Sequence, residues 1–92
     1  MNIRPFTNAL RKNGLWRQDF DSRAGGARIV QFVHRVNIHR LLHLQLWEDG
    51  EHRVTFMEDG RISTPPSAFK TVAEMLNAIE VESTKPARPV GA

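Results

Sequence analysis

LLHLQLWEDGEHRVTFMEDGRIST, residues 41–64, decides the fold. Leu42, Leu44 and Leu46 alternate with His43, Gln45 and Trp47, the period-two pattern of a strand with one buried face. Two Glu-Asp-Gly triplets follow, at Glu48-Asp49-Gly50 and Glu58-Asp59-Gly60, and register decides how they turn. A two-residue Asp49-Gly50 turn would set Leu46 against Arg53 and Leu44 against Thr55. A three-residue loop with Gly50 left-handed instead pairs Leu46 with His52, Leu44 with Val54 and Leu42 with Phe56. The same loop at Gly60 pairs Phe56 with Ile62. One apolar face then runs through three strands of a meander.

The flanks complete the reading. Ile3, Phe6 and Leu10 fall at helical spacing, Pro5 suits a first turn, and Gly14 after Arg11 and Lys12 is a stop, so a short helix is expected from Pro5 to Asn13. Trp16, Gln18 and Phe20 alternate with Arg17 and Asp19 as a first strand, Ser22 to Ala27 reads as a flexible connection, and Arg28 to Val36 as a second strand. That strand has Val30, Phe32 and Val36 on one face and Ile29 and Val33 on the other, so its core side stays open. Thr64-Pro65-Pro66 ends the meander. Thr71 with Glu74 forms a capping box, and Val72, Met75, Leu76 and Ile79 form the stripe of a second helix over Val72 to Glu82. The expected fold is α+β, in the order α-β-β-β-β-α: a four-stranded antiparallel sheet with two helices packed on it. Residues 1–82 form one domain, and 83–92, with Pro86 and Pro89, a flexible tail.

Charge is unevenly divided. Residues 1–47 carry eight basic and two acidic residues, a balance of +6, whereas 48–92 carry five basic and eight acidic, −3. The basic half uses arginine almost throughout, which suits phosphates and acidic protein surfaces. The candidate contact residues are Arg23 and Arg28 around Gly25-Gly26, Arg35 and Arg40 beside the second strand, and Trp47 with Arg53 on the reverse face of the meander. That reverse face is expected to hold His43, Gln45, Trp47, Arg53, Thr55, Met57, Arg61 and Ser63, and Trp47 and Met57 are costly to expose there. If the two Glu-Asp-Gly loops project from one end, away from the arginines, the molecule is dipolar and binds through its N-terminal half.

Other chemistry finds less footing. The chain has no cysteine, which removes disulfides and thiolate metal sites. His34, His39, His43 and His52 crowd one segment, but the four-residue spacing of His39 and His43 brings ligands together on a helix, and this segment reads as strand. No Walker loop, nucleophile elbow or dinucleotide fingerprint is present, and no cofactor is implied. No apolar run is long enough for a signal sequence or a membrane span, so a cytoplasmic location in a bacterial host is expected.

The α-β-β-β-α portion is similar in element order to double-stranded RNA-binding domains, but an extra strand is expected before the meander, and Lys70-Thr71-Val72-Ala73-Glu74 supplies one lysine and an acid where those domains place a lysine cluster at the start of their last helix, so that family is not adopted. Asn8-Ala9-Leu10, Gly14-Leu15-Trp16-Arg17, the Arg23-to-Arg28 glycine loop, the two Glu-Asp-Gly turns and the Phe69-to-Glu82 helix together resemble compact phage and mobile-element anti-CRISPR proteins acting on type I, particularly I-F, surveillance complexes. The resemblance implies a non-enzymatic inhibitor that binds a Cas protein–guide RNA complex and prevents target DNA from hybridising or being cut. The positive charge departs from the acidic DNA mimics in that group and implies contact with guide-RNA phosphates or acidic Cas surfaces. The alternative readings are an independent DNA- or RNA-binding regulator, and a small ribonuclease using His34, His39 or His43.

Overall fold

The computed structural model describes residues 2–84. In chain order it holds α1 (Arg4–Asn13), β1 (Trp16–Ala24), β2 (Ala27–His34), β3 (Arg40–Trp47), β4 (His52–Glu58), β5 (Arg61–Ile62), β6 (Ser67–Phe69) and α2 (Val72–Thr84). All strands join one antiparallel sheet in the order β1-β2-β3-β4-β5, with β6 also on β4. The α+β class, the four main strands and the two flanking helices are those expected from the sequence. The tail expected over 83–92 falls mostly on residues 85–92, outside the described residues; α2 itself runs on to Thr84.

α1 ends on Gly14, left-handed at φ 77°, whose N–H bonds to the Arg11 carbonyl. A left-handed residue there closes the last turn, and glycine takes that conformation without a Cβ clash. α2 starts at its capping box. The Glu74 N–H donates to Thr71 Oγ1 at 3.2 Å, and the Thr71 hydroxyl donates to the Glu74 carboxylate at 3.3 Å. Both helices lie on one face of the sheet. Phe6 and Leu10 of α1 and Met75 and Ile79 of α2 pack with Trp16, Val30, Phe32, Leu42, Leu44, Leu46, Val54, Phe56 and Phe69 in one core. The second strand's core side is therefore settled. Val30 and Phe32 point inward, Ile29 and Val33 lie on the opposite face, and Val36 falls beyond the strand.

The first Glu-Asp-Gly triplet turns as expected: Leu44 pairs with Val54, Leu42 with Phe56, and Gly50 is left-handed at φ 85°. The second does not. Met57 pairs with Ile62 and Glu58 with Arg61, so only Asp59 and Gly60 span the turn, at φ 52° and 77°. Two successive positive φ values match the twist of a two-residue hairpin. The one-residue slip sends Ile62 to the face away from the helices, where it is 65% exposed, and puts Arg61 on the helix side. Pro65 and Pro66 then lack the N–H groups a strand needs, and the chain re-pairs with the other end of β4 through β6. Phe69 anchors that short strand against Phe6 and His52, with ring centroids 5.6 and 5.5 Å away. Replacing Gly60 with alanine is expected to cost about 1 kcal/mol in urea unfolding, because alanine resists positive φ. Gly26→Ala should stay within about 0.5 kcal/mol, since its new Cβ meets only the Trp47 ring at an ordinary 3.8 Å.

Two further corrections concern β1. It continues to Ala24, and Ala24 pairs with Ala27, so the expected flexible connection is a tight Gly25-Gly26 hairpin. The register also shifts between Gln18 and Phe20. This bulge at Asp19 reverses which residues face the helices: Trp16 and Gln18 do, Phe20 does not, and Asp21 does again. A bulge gives two residues opposite one, and every later side chain changes face.

Candidate functional site

The six candidate residues lie in three places. Arg23 and Arg28 pair directly across the β1–β2 hairpin, on the helix side. Arg35 and Arg40 lie at the far end of the sheet, on either side of the loop 36–39 between β2 and β3. Trp47 and Arg53 occupy the opposite face, where the Trp47 ring lies against Gly26.

The acidic turns do not project from one end. Successive turns of a meander alternate between ends, and each here meets arginines. Glu48 lines a concavity of about 280 Å³ with Arg23 and Arg28. Glu58 pairs with Arg40 at 3.2 Å, and Asp59 lies 3.3 Å from His39. Arg28 is held by both oxygens of Asp21 at 2.7 Å, and this fork keeps the Asp21 carboxyl below its ordinary range. The expected separation of charge is thus overturned. The linear split in charge becomes a mixed surface, and two of the four grouped arginines hold the sheet's own carboxylates.

One region stays basic, and sequence reasoning did not assemble it. Arg11, Arg17 and Arg35 line an open concavity of about 460 Å³ with Trp16, Gln18, Asp19, Phe20 and Asp21. All three arginines are exposed, and among the described residues none forms an ion pair. The Arg11 guanidinium donates to Gln18 Oε1. The two carboxylates nearby are engaged, Asp21 by Arg28 and Asp19 by the Gln31 amide at 2.9 Å. Arg11 comes from the last turn of α1, Arg17 from β1 and Arg35 from just beyond β2, so only the folded sheet gathers them.

Apolar side chains stand at the same end. The Arg35 N–H donates to the Leu15 carbonyl at 2.8 Å, setting the two segments side by side. Leu15 is exposed, as are Val36 and Ile38, the last two by 82% and 68%. Their loop is firmly held. His34 Nδ1 accepts the N–H groups of Val36 and Asn37 at 3.2 and 3.0 Å, Asn37 Oδ1 accepts from His39 N–H, and the Asn37 carbonyl accepts from Arg40 N–H. The His34 ring in turn stands edge-on to Trp16 at 5.0 Å. A preformed loop with exposed apolar tips loses little entropy on docking.

The histidines do not form a cluster. His34 and His52 lie on the helix side, His43 on the other face, and His39 in the loop before β3. His52 Nδ1 accepts the Trp47 N–H at 3.0 Å, and His43 Nε2 shares a 2.6 Å hydrogen bond with Gln31 Oε1. Among the described residues no group of three His, Asp or Glu side chains could hold a metal, and no helix is long and apolar enough to cross a membrane.

Burial lowers the pKa of His34, His43 and His52 from 6.5; nearby Arg40 adds to the shift at His34, and Asp49 opposes it at His52. Each therefore favours its neutral form when folded, and His34 and His52 must be neutral at Nδ1 to accept their N–H bonds. The unfolded chain binds protons first as pH falls through about 6.5, so stability decreases there and levels off below the folded-state values. Urea midpoints are expected to be lower at pH 5.5 than at pH 7.5, and equal midpoints would contradict these assignments.

Comparison with protein-family models, with curated proteins and with solved structures gave no match to this chain.

Proposed function

We propose that this chain is a non-enzymatic binding protein that docks on an assembled protein–RNA complex through Arg11, Arg17 and Arg35 and the adjoining Leu15, Val36 and Ile38. The convergence of three arginines without ion-pair partners beside a rigid, apolar-tipped loop carries this reading. Guanidinium groups grip phosphates and carboxylates in planar, two-point fashion, while exposed apolar tips need a protein or base surface to cover them. The charged residues and bulge of β1 blunt its free edge against strand addition. Side chains rather than backbone ladders therefore make the contact.

The resemblance to anti-CRISPR proteins supplies the partner to test, the Cas protein–guide RNA complex of a type I-F system, with loss of target DNA hybridisation or cleavage as the consequence. The deciding experiment measures binding to that assembled complex and to its guide RNA alone, across a salt series. Tight binding to the complex and weak binding to bare RNA is the expected result. Equal binding to both, falling steeply with salt, would instead mark an independent nucleic-acid-binding regulator. Cleavage of labelled RNA would return the ribonuclease reading.

A further inference from the structure

The apolar tips Val36 and Ile38 are presented by a loop whose first half hangs on one imidazole. Upstream, the Arg35 N–H is fixed on the Leu15 carbonyl at 2.8 Å. Downstream, the Arg40 N–H closes on the Asn37 carbonyl at 3.0 Å and the His39 N–H on Asn37 Oδ1 at 3.2 Å. Between these points the N–H groups of Val36 and Asn37 have a single acceptor among the described residues, His34 Nδ1, at 3.2 and 3.0 Å. A nitrogen that accepts two N–H groups carries no proton, so the imidazole proton sits on Nε2. The ring is steadied edge-on against the buried Trp16 at 5.0 Å.

We propose that His34 is an acid-sensitive latch: a proton on Nδ1 releases Val36 and Asn37 and opens the loop 36–39, which withdraws the preformed apolar tips from docking. The opening is a property of the free chain, whereas its effect on docking rests on the function proposed above. Protonation turns Nδ1 from acceptor to donor and sets three N–H groups against one another, so both bonds are lost at once. Val36 and Asn37 are exposed, so water takes their freed N–H groups and the sheet stays folded. Asn37 keeps its bonds to His39 and Arg40, which confines the change to the leading half of the loop.

The surrounding charges set the sign. Burial first, and then Arg40 of β3, disfavour an imidazolium at His34 while the loop is closed. Glu58 of β4 lies 3.2 Å from Arg40 and faces that guanidinium, and β1 contributes the neutral Trp16 ring. Beside the loop Arg35 is a further cation, and His39 lies 3.3 Å from Asp59 of the β4–β5 turn. A proton on His39 tightens that contact and leaves the Nδ1 bonds alone, so His39 does not open the loop. The closed loop binds a proton at His34 less well than the open one. Acid therefore favours opening, as pH falls through a value below 6.5.

Nuclear magnetic resonance of the full free chain, titrated from about pH 7.5 to about pH 4.5, tests the latch without a partner. At the upper end the His34 proton should lie on Nε2. On acidification the Val36 and Asn37 amides should shift with the same midpoint as the His34 ring. Their exchange protection should fall about tenfold while that of Leu44 and Val54 in the core holds. His39→Gln should keep this transition. His34→Asn should abolish it, because the asparagine carbonyl accepts the N–H two residues on without titrating. Affinity for the surveillance complex should drop about tenfold over the same range in the wild type and hold in His34→Asn. A His34 ring that protonates with Val36 and Asn37 still protected would overturn the inference, as would a ring neutral throughout or a transition lost in His39→Gln. Unchanged wild-type affinity across an opened loop would overturn the link to docking. A loop that opens in a chain that never binds the complex would remove the docking reading and leave the latch standing.

Discussion

Charge reversal of Arg11, Arg17 and Arg35 together to glutamate is expected to weaken binding to the Cas protein–guide RNA complex by about a hundredfold or more. The three side chains are exposed and line one concavity. Each forms no ion pair among the described residues, so their loss removes little from the fold. Truncating a charged anchor typically costs about 1–3 kcal/mol in a docked interface, and reversal adds repulsion from phosphates or carboxylates. Three such changes exceed the ~3 kcal/mol that a hundredfold requires. The thermal midpoint of the triple variant should match the wild type, while Arg23→Glu and Arg53→Glu should leave binding nearly unchanged. Titration of labelled protein into the complex reads all three. Retained affinity in the triple variant would remove the arginine concavity from the account. Substituting Arg28 or Arg40 is a poorer test, because each also breaks an ion pair within the sheet.

Trp16→Ala is expected to be the most damaging single change to the fold. Trp16 is buried, stands edge-on to His34 and lies 6.4 Å from the Phe56 ring. Removing an indole from a core typically costs about 3–5 kcal/mol. For a domain of this size that is a large share of the total stability, and it lowers the thermal midpoint by roughly 15–30 °C. The same change frees the His34 ring that holds the loop 36–39, so binding should fall even below the melting transition. Calorimetry and the binding titration together separate the two effects. A midpoint within a few degrees of wild type would show that Trp16 is not the core element described.

Much of the fold was legible because apolar alternation constrains register. Leucines on β3 face Val54 and Phe56 on β4, so a slipped turn at Gly50 would have buried Arg53. No such constraint acts at the second Glu-Asp-Gly triplet. Ile62 is the single large apolar residue in its short strand, prolines follow, and the two-residue turn prevailed over an identical tripeptide. The β1 bulge was hidden for a different reason. Alternation from Trp16 to Phe20 looks regular, but the Arg28–Asp21 fork depends on a side chain seven positions away in the opposite strand. β6 likewise rests on Phe69 meeting Phe6 and His52 across the core.

The candidate site was less legible than the fold. Sequence points to an arginine-rich N-terminal half, and Arg35 belongs to the concavity. Arg11 and Arg17 contribute to that charge, but nothing in their local sequence marks them as a site. Their meeting depends on α1 ending beside β1 and on β2 returning antiparallel, which no local pattern records. The acidic turns misled in the same way. Their residue types fixed turns, but the alternation of meander ends placed them beside Arg23, Arg28 and Arg40.

Arginine-selective modification, mapped by mass spectrometry on the free chain and on the chain bound to the surveillance complex, tests the central claim most directly. Arg11, Arg17 and Arg35 should lose reactivity on binding, while Arg23 and Arg53 keep theirs. Protection at Arg23 and Arg53 with Arg11, Arg17 and Arg35 still reactive, or no binding to the complex at all, would contradict the account.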